Sequence, residues 1–256
     1  MSRRLGARLA FTTSALLLWW QVPCSAQSAG ATPTREQLPP PALELPLISA
    51  AVHLGLLAYG RGGLQNECEG SCAGFAANSV SYGHGVAFGI GADGFVNIHD
   101  LVRIGPALFY TFPNHVQVDG STRDFAVGSD LAVDLAVELA PRVTSALRVL
   151  PRLQAGATIL FPGSDLERVL SAQEANCPTG TPGCNSIEAP YVGYNLGAGV
   201  GALYRLYPHL ALRADILFQY YSVRLSELDA SLFAQPIHVS ETLDGARLFF
   251  MLGAEY

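Results

Sequence analysis

An all-β fold is predicted here: an eight-stranded antiparallel up-and-down transmembrane β-barrel with long extracellular loops and short periplasmic turns. Three observations predict it. From Leu47 onward the chain divides into eight segments in which apolar and polar residues alternate with a period of two, the period of a strand. The connections between these segments alternate strictly between long and short, as in a barrel whose two rims differ. Finally, 50% of the 256 residues are apolar, 14% are charged and the mean hydropathy is +0.27, yet no stretch beyond the N-terminal region is an apolar 18-mer. Apolarity spread by alternation rather than gathered into runs suits a wall with one face in lipid.

Residues 1–26 read as a cleaved secretory signal. Arg3, Arg4 and Arg8 form a basic start, and Leu9 to Val22 is an apolar core too short to span a bilayer. Cys24-Ser25-Ala26 then places small residues at the −3 and −1 positions before Gln27. Pro23 spoils a lipoprotein site, and Gly6 and Ala7 stand where a twin-arginine signal carries bulky apolar residues. Residues 27–46 form a periplasmic linker, kept extended by Pro33, Pro39, Pro40, Pro41 and Pro46. Loss of the signal removes three arginines and no acid, so the formal charge goes from −6 to 12 − 21 = −9. The chain has no lysine. An acidic, lysine-free chain argues against nucleic acid as a partner.

Residues 47–256 form the barrel. Its segments are 47–60, 79–97, 101–112, 122–140, 143–161, 190–206, 209–225 and 240–256. The long connections are 61–78, 113–121, 162–189 and 226–239; the tight ones fall at His99-Asp100, Pro141-Arg142 and Pro208-His209. Within 162–189, Asp165 to Asn176 reads as a short helix with Leu166, Val169 and Leu170 on one side. In the last segment Leu248, Phe250, Leu252, Ala254 and Tyr256 share one face, and Arg247, Phe249, Met251, Gly253 and Glu255 share the other. The first set meets lipid, with Tyr256 at the interface.

These features resemble the small eight-stranded outer-membrane β-barrels, the OmpA/OmpX/OmpW-like class. The signal, the alternating segments, the loop asymmetry and the Phe250-x-Leu252-x-Ala254-x-Tyr256 pattern carry the resemblance, over about 47–256. It implies a location in the outer membrane of a Gram-negative-type cell, among outer-membrane lipid. It also implies that Leu248, Phe250, Leu252 and Tyr256 form a signal read by the barrel-assembly machinery. Tyr256 stands where Phe is commoner, and no peptidoglycan-binding domain follows.

Charge patterning assigns the faces. On the fourth segment Phe125, Val127, Leu131, Val133, Leu135, Val137 and Leu139 point to lipid, and Asp124, Asp130, Asp134 and Glu138 line the interior. On the fifth, Val149, Leu153, Ile159 and Phe161 face lipid while Arg148, Arg152 and Gln154 face inward; Pro151 should mark a bulge. One antiparallel register centred on Pro141 would set Asp134 opposite Arg148 and Asp130 opposite Arg152. On the seventh, Arg213, Asp215, Gln219 and Tyr221 point inward. Arg103, Arg205, Arg247 and His53 fall on inner faces as well.

The lumen is thus a mixed Arg/Asp/Glu/Gln network, plugged because eight strands leave little more than room for side chains. A narrow water or ion path is the alternative. It is suggested by the small inward residues Gly83, Gly85, Ala87, Gly89 and Gly91 on the second segment and Gly193, Gly197, Gly199 and Gly201 on the sixth.

Cys24 leaves with the signal. Cys68 and Cys72 (C-x3-C) and Cys177 and Cys184 (C-x6-C) lie in polar, loop-like segments and read as two local disulfides formed in an oxidising compartment. Three connectivities are possible on paper, links between the loops included. A metal site is the other reading, against which stand the absence of flanking His and a spacing unlike a zinc ribbon. The first function expected is therefore structural or interactive: a monomeric envelope protein, without cofactor, that meets an external partner through stiff, disulfide-pinned loops. A small channel comes second and a lipid A-modifying enzyme third. For the enzyme the sequence offers His238-x-Ser240 on one strand face, with Glu241 on the opposite face, and His84 near Ser79 and Ser81.

Overall fold

The computed structural model describes residues 45–70, 79–121, 124–175, 184–186, 189–232 and 235–256, with side chains described at all of these except 66–70, 79, 84, 172–175, 184–186, 227–232 and 235–239. The signal and residues 27–44 of the linker lie outside the described residues. The elements are β1 (Ile48–Gly70), β2 (Ser79–His84), β3 (Ala87–Ile98), β4 (Val102–Val118), β5 (Asp124–Leu139), β6 (Leu147–Pro162), α1 (Ser164–Ala175), β7 (Cys184–Ser186), β8 (Tyr191–Tyr207), β9 (Leu210–Leu232) and β10 (Gln235–Glu255). β2 and β3 keep one register with β1 (Arg61↔Gly83, Ile48↔Val96) and with β4 (Tyr82↔Val118, Gly89↔Thr111). They are a single barrel strand interrupted at Gly85–Val86. Neighbouring strands pair antiparallel all the way round, and β10 closes the ring by pairing with both β9 and β1. The described residues thus form a closed eight-stranded up-and-down barrel, and closure leaves no edge along the wall.

The wall alternates as its sequence does. On β5, Leu131, Val133, Leu135, Val137 and Leu139 face out while Ala132, Asp134, Ala136 and Glu138 are buried. Leu131 to Leu139 covers about nine residues, which at about 3.4 Å each and a tilt near 40° gives about 23 Å of height, enough for a bilayer core. Exposed rings bound this belt: Tyr59, Phe112, Phe161, Tyr194 and Tyr220 toward one rim, Tyr204, Tyr207 and Tyr256 toward the other. Among the described residues no helix is long and apolar enough to cross a membrane; the strands make the crossing.

The two rims differ as expected, but by another means. The lower rim carries Leu45, Tyr256, the short turn at His99–Leu101 and the two-residue turn at Pro208-His209. At the upper rim, most of what reads as loop is ladder: β1 and β10 pair up to Gly70↔Ile237, and β9 and β10 up to Leu232↔Gln235. Backbone hydrogen bonds need no apolar side chain, so the strands run on past the point where alternation ends.

Four sequence-based expectations are corrected. First, the β5–β6 connection is Ala140–Ala146, not a tight turn at Pro141-Arg142. Thr144 Oγ1 accepts from the N–H groups of Ala146 (3.2 Å) and Leu147 (3.0 Å), and the ladder is centred on Ser145. Asp134 therefore faces Gly156, Asp130 faces Leu160, and Arg152 faces Glu138.

Second, Phe125 and Val127 pack inside the upper lumen rather than against lipid, and Asp124 is exposed rather than inside. Gly128 (φ +124°) sits at a register shift that turns the strand over, and a Cβ there would stand 2.0 Å from Phe161 O. Third, Pro151 sits in an unshifted β6–β8 register, so it marks no bulge; the β5–β6 ladder ends beside it at Glu138↔Arg152. Fourth, α1 turns Leu166 and Leu170 onto the upper apolar cluster, while Val169 is exposed. The helix is anchored by Ala126 N donating to Asp165 Oδ2 at 3.0 Å.

Candidate functional site

The lumen is filled by alternating apolar and charged layers. Ala140, Leu150 and Leu203 close the lower rim, with Leu45 packed against them. Asn97 secures this entry segment, donating to Pro46 O through its side chain, while its backbone N–H donates to Leu47 O at 2.9 Å.

Above lies the main charged layer. Arg213 bonds Glu138, donates to Asp215 through Nε at 2.8 Å, and reaches Glu255 at 3.3 Å. Arg103 donates to Glu255 (2.6 Å), Ser49 Oγ (2.9 Å) and Asn97 Oδ1 (3.0 Å), and stands 3.3 Å from Glu138. Arg152 grips Asp93 with both terminal nitrogens (2.6 and 3.2 Å) and donates to Gln154 Oε1 at 2.8 Å. His53 Nε2 lies 3.1 Å from the same Asp93. The Phe95 ring lies within reach of three guanidiniums, closest to Arg103 at 4.4 Å.

An apolar layer follows, built on Leu57, Phe109, Leu217, Phe249 and Met251, with Phe109 and Phe249 edge to face at 4.9 Å. A second charged group sits above it. Arg247 donates to both oxygens of Asp130 (2.6 and 3.0 Å) and to Gln219 Oε1 (3.0 Å), beneath Tyr221. Gln219, Asn195 and Thr158 continue the chain of hydrogen bonds. The upper cluster of Tyr82, Val116, Leu160, Val223, Leu225 and Leu243, covered by α1, closes the top. A cavity of about 10 Å³ beside Asp130 and Arg247 has room for about one water.

Of the residues expected in the lumen network, Asp130, Asp134, Glu138, Arg148, Arg152, Arg213, Asp215 and Arg247 are all buried. Their partners differ from the expectation. Asp134 accepts from Gln154 Nε2 at 2.6 Å, not from Arg148. Arg148 lies at the lower rim, bonded to Asp100 Oδ1 (2.5 Å), Asp100 O and Ala140 O. Arg142 joins it on Asp100. Although partial burial opposes it, the Leu45 N–H and the Arg148 guanidinium hold the Asp100 carboxyl below the usual carboxylate range. Arg205 bonds the carbonyls of Tyr207 and Pro208 on the rim and takes no part in the network. Sequence reading missed Asp93, whose signal was a lone acid among glycines and apolar residues on the second segment. Asp134→Ala and Arg148→Ala should therefore be additive within about 0.3–0.5 kcal/mol; chemical denaturation of the two single variants and the double variant checks it.

Gly83 and Gly85 line an outer cleft rather than the lumen, and the glycines that do point inward open no path. A Cβ on Gly89 would meet the Phe109 ring at 2.6 Å, on Gly91 His53 at 2.7 Å, on Gly197 Gln154 at 2.7 Å and on Gly201 Asp215 at 2.1 Å. These glycines make room for bulky side chains reaching into the lumen. Gly89→Ala should cost about 1–3 kcal/mol by overpacking, read as a lower midpoint of thermal unfolding.

The other candidates lie partly outside the described residues. Ser240 and Glu241 are both buried, and Glu241 accepts from Ser226 Oγ at 3.4 Å. The side chains of His84, Ser79 and His238 lie outside the described residues, as do Cys72, Cys177 and the side chains of Cys68 and Cys184. Backbone register still constrains the cysteines. Cys184↔Leu228, Leu228↔Val239 and Val239↔Cys68 put Cys184 and Cys68 on one rung across four strands. Three interstrand spacings, about 14 Å, are too many for a direct bridge between them. On β10, Phe250, Leu252 and Tyr256 are exposed and Leu248 half-buried on the outer face, while Arg247 and Glu255 are buried inside.

No protein-family profile and no curated protein matches the chain. Solved structures do. The outer membrane protein OprG from Pseudomonas aeruginosa aligns at 14% identity over 81% of this chain and 94% of its own, with a TM-score of 0.44. The outer membrane protein AlkL aligns at 13% over 87% and 96%, with a TM-score of 0.42. Neisserial surface protein A aligns at 14% over 77% and 97%, with a TM-score of 0.32.

Proposed function

We propose that this chain is a monomeric outer-membrane barrel, exported by a signal at 1–26, with an envelope-structural or surface-interaction role carried by its upper rim. The observation that supports it best is the pairing of a lipid-facing wall with a lumen filled by hydrogen-bonded charges. Such a wall needs a bilayer, and such a lumen leaves the outer surface as the place to meet a partner. Disulfides within the Cys68/Cys72 and Cys177/Cys184 pairs would stiffen the upper rim, and the outward row Leu248, Phe250, Leu252 and Tyr256 would be what the barrel-assembly machinery reads. The role needs no cofactor.

Single-channel recording in planar bilayers tests the reading. The expected trace shows no steady discrete conductance, because the buried Arg103, Arg152, Arg213 and Arg247 and their acids would have to be displaced for ions to pass. Steady unitary steps from the pure folded protein would overturn it in favour of a channel.

A further inference from the structure

We propose that a polar cleft on the outer wall binds the hydroxyl-rich face of a sugar, in a glycan held at the membrane surface. The inference rests on the outer-membrane reading above. The cleft, about 580 Å³, opens where the second barrel strand is interrupted at Gly85–Val86, opposite the end of β4. Its size is within the range of about 300–1,000 Å³ usual for small-ligand sites. Gly83 and Gly85 present only backbone to it, and Gly85 N–H donates to His115 O at 3.0 Å, which ties the interrupted strand to β4.

Position selects the ligand. Phe112 is the last outward apolar ring of the belt on β4, and His115 and Gln117 follow it as outward, exposed residues. At about 3.4 Å per residue the β4 side of the cleft, Pro113 to Val118, runs from about 3 to about 20 Å along the strand beyond the belt. That is the zone where a glycolipid carries its sugars.

Chemistry selects it further. Asp119 and Asp124 accept hydrogen bonds, and Gln117 both donates and accepts. His115 in its neutral form does the same, which suits vicinal hydroxyls that themselves do both. Exposed Val86 and Pro113 offer an apolar platform to the C–H face of a ring. Phosphate is disfavoured. Among the described residues the lining holds two carboxylates and no arginine, and nearby Arg61 is engaged with Asp119 at 3.5 Å.

The test uses the full folded chain in detergent micelles. It is mixed in turn with lipopolysaccharide bearing its core sugars, with lipopolysaccharide stripped to its lipid anchor, with phospholipid, and with lipid-free core oligosaccharide. Native mass spectrometry counts bound molecules per barrel. The core-bearing form should be retained over phospholipid and over the stripped form. Gln117→Ala combined with Asp124→Ala should weaken that retention by about tenfold, about 1.4 kcal/mol. Binding of the lipid-free oligosaccharide with the same sensitivity would support the sugar site and assign it a soluble glycan. Equal retention by wild type and double variant would overturn the proposal, as would retention that follows added divalent cation rather than sugar. Unchanged gel mobility before and after boiling, relative to wild type, shows that the variant is folded. Failure of the outer-membrane reading would show separately, as loss of the full chain from the outer-membrane fraction of cells.

Discussion

Arg213→Ala should destabilise the folded barrel by about 3–5 kcal/mol, the cost of leaving buried acids without their cation. Arg213 is 1% exposed and contacts Glu138, Asp215 and Glu255 at once. Its removal leaves Asp215 without the two charge-assisted bonds it receives, from Nε and Nη2. Glu138 is completely buried and, among the described residues, keeps Arg103 and Arg152, each at 3.3 Å. No water replaces the lost donor cheaply, because Phe95 packs beneath the guanidinium. Urea unfolding in micelles measures the effect. Glu138→Ala should be comparably damaging, and the double variant should lose less than the sum, since the second removal relieves an orphaned charge. A loss under about 1 kcal/mol for Arg213→Ala would mean that the layer is wet and its charges solvated.

Leu54→Arg should cost about 2–4 kcal/mol and impair insertion into bilayers. Leu54 is 69% exposed, midway between the outward residues Ile48 and Tyr59 of β1, with Ile90 and Leu252 beside it on the neighbouring strands. In water an exposed arginine there would be harmless. In a bilayer the guanidinium must reach an interface along an apolar wall. Gln117→Arg, on the outer face beyond the belt, is the control and should change stability by no more than about 0.5 kcal/mol. Equal behaviour of the two variants in lipid would remove the belt from the bilayer.

Much of the fold is legible in the sequence because a barrel strand in lipid has a two-valued environment. Leu131 to Leu139, Leu210 to Tyr220 and Leu248 to Tyr256 each declare their faces, since a charge outside or an excess of large apolar groups inside would be costly. Where that contrast ends, legibility ends. Past the belt both faces of β1, β9 and β10 are wet, and the ladder continues unannounced. At Gly128 the strand turns over, so a face rule that held for Leu131 failed for Val127.

The sequence by itself determined that the strands alternate, that the acids and arginines point inward, and that the outer wall is apolar. Only the tertiary structure decided which charge meets which. Reading along a hairpin offers one set of partners, those directly opposite on the next strand. In a closed barrel of eight strands, side chains from every strand meet in one narrow lumen, so Asp130 on β5 bonds Arg247 on β10, and Arg213 on β9 bonds Glu138 on β5. A seven-residue turn held by Thr144 set the β5–β6 register, and closure of β10 on β1 set the rest. Pairing across the lumen depends on how the sheet curves shut, and curvature is a property of the whole ring rather than of any one strand.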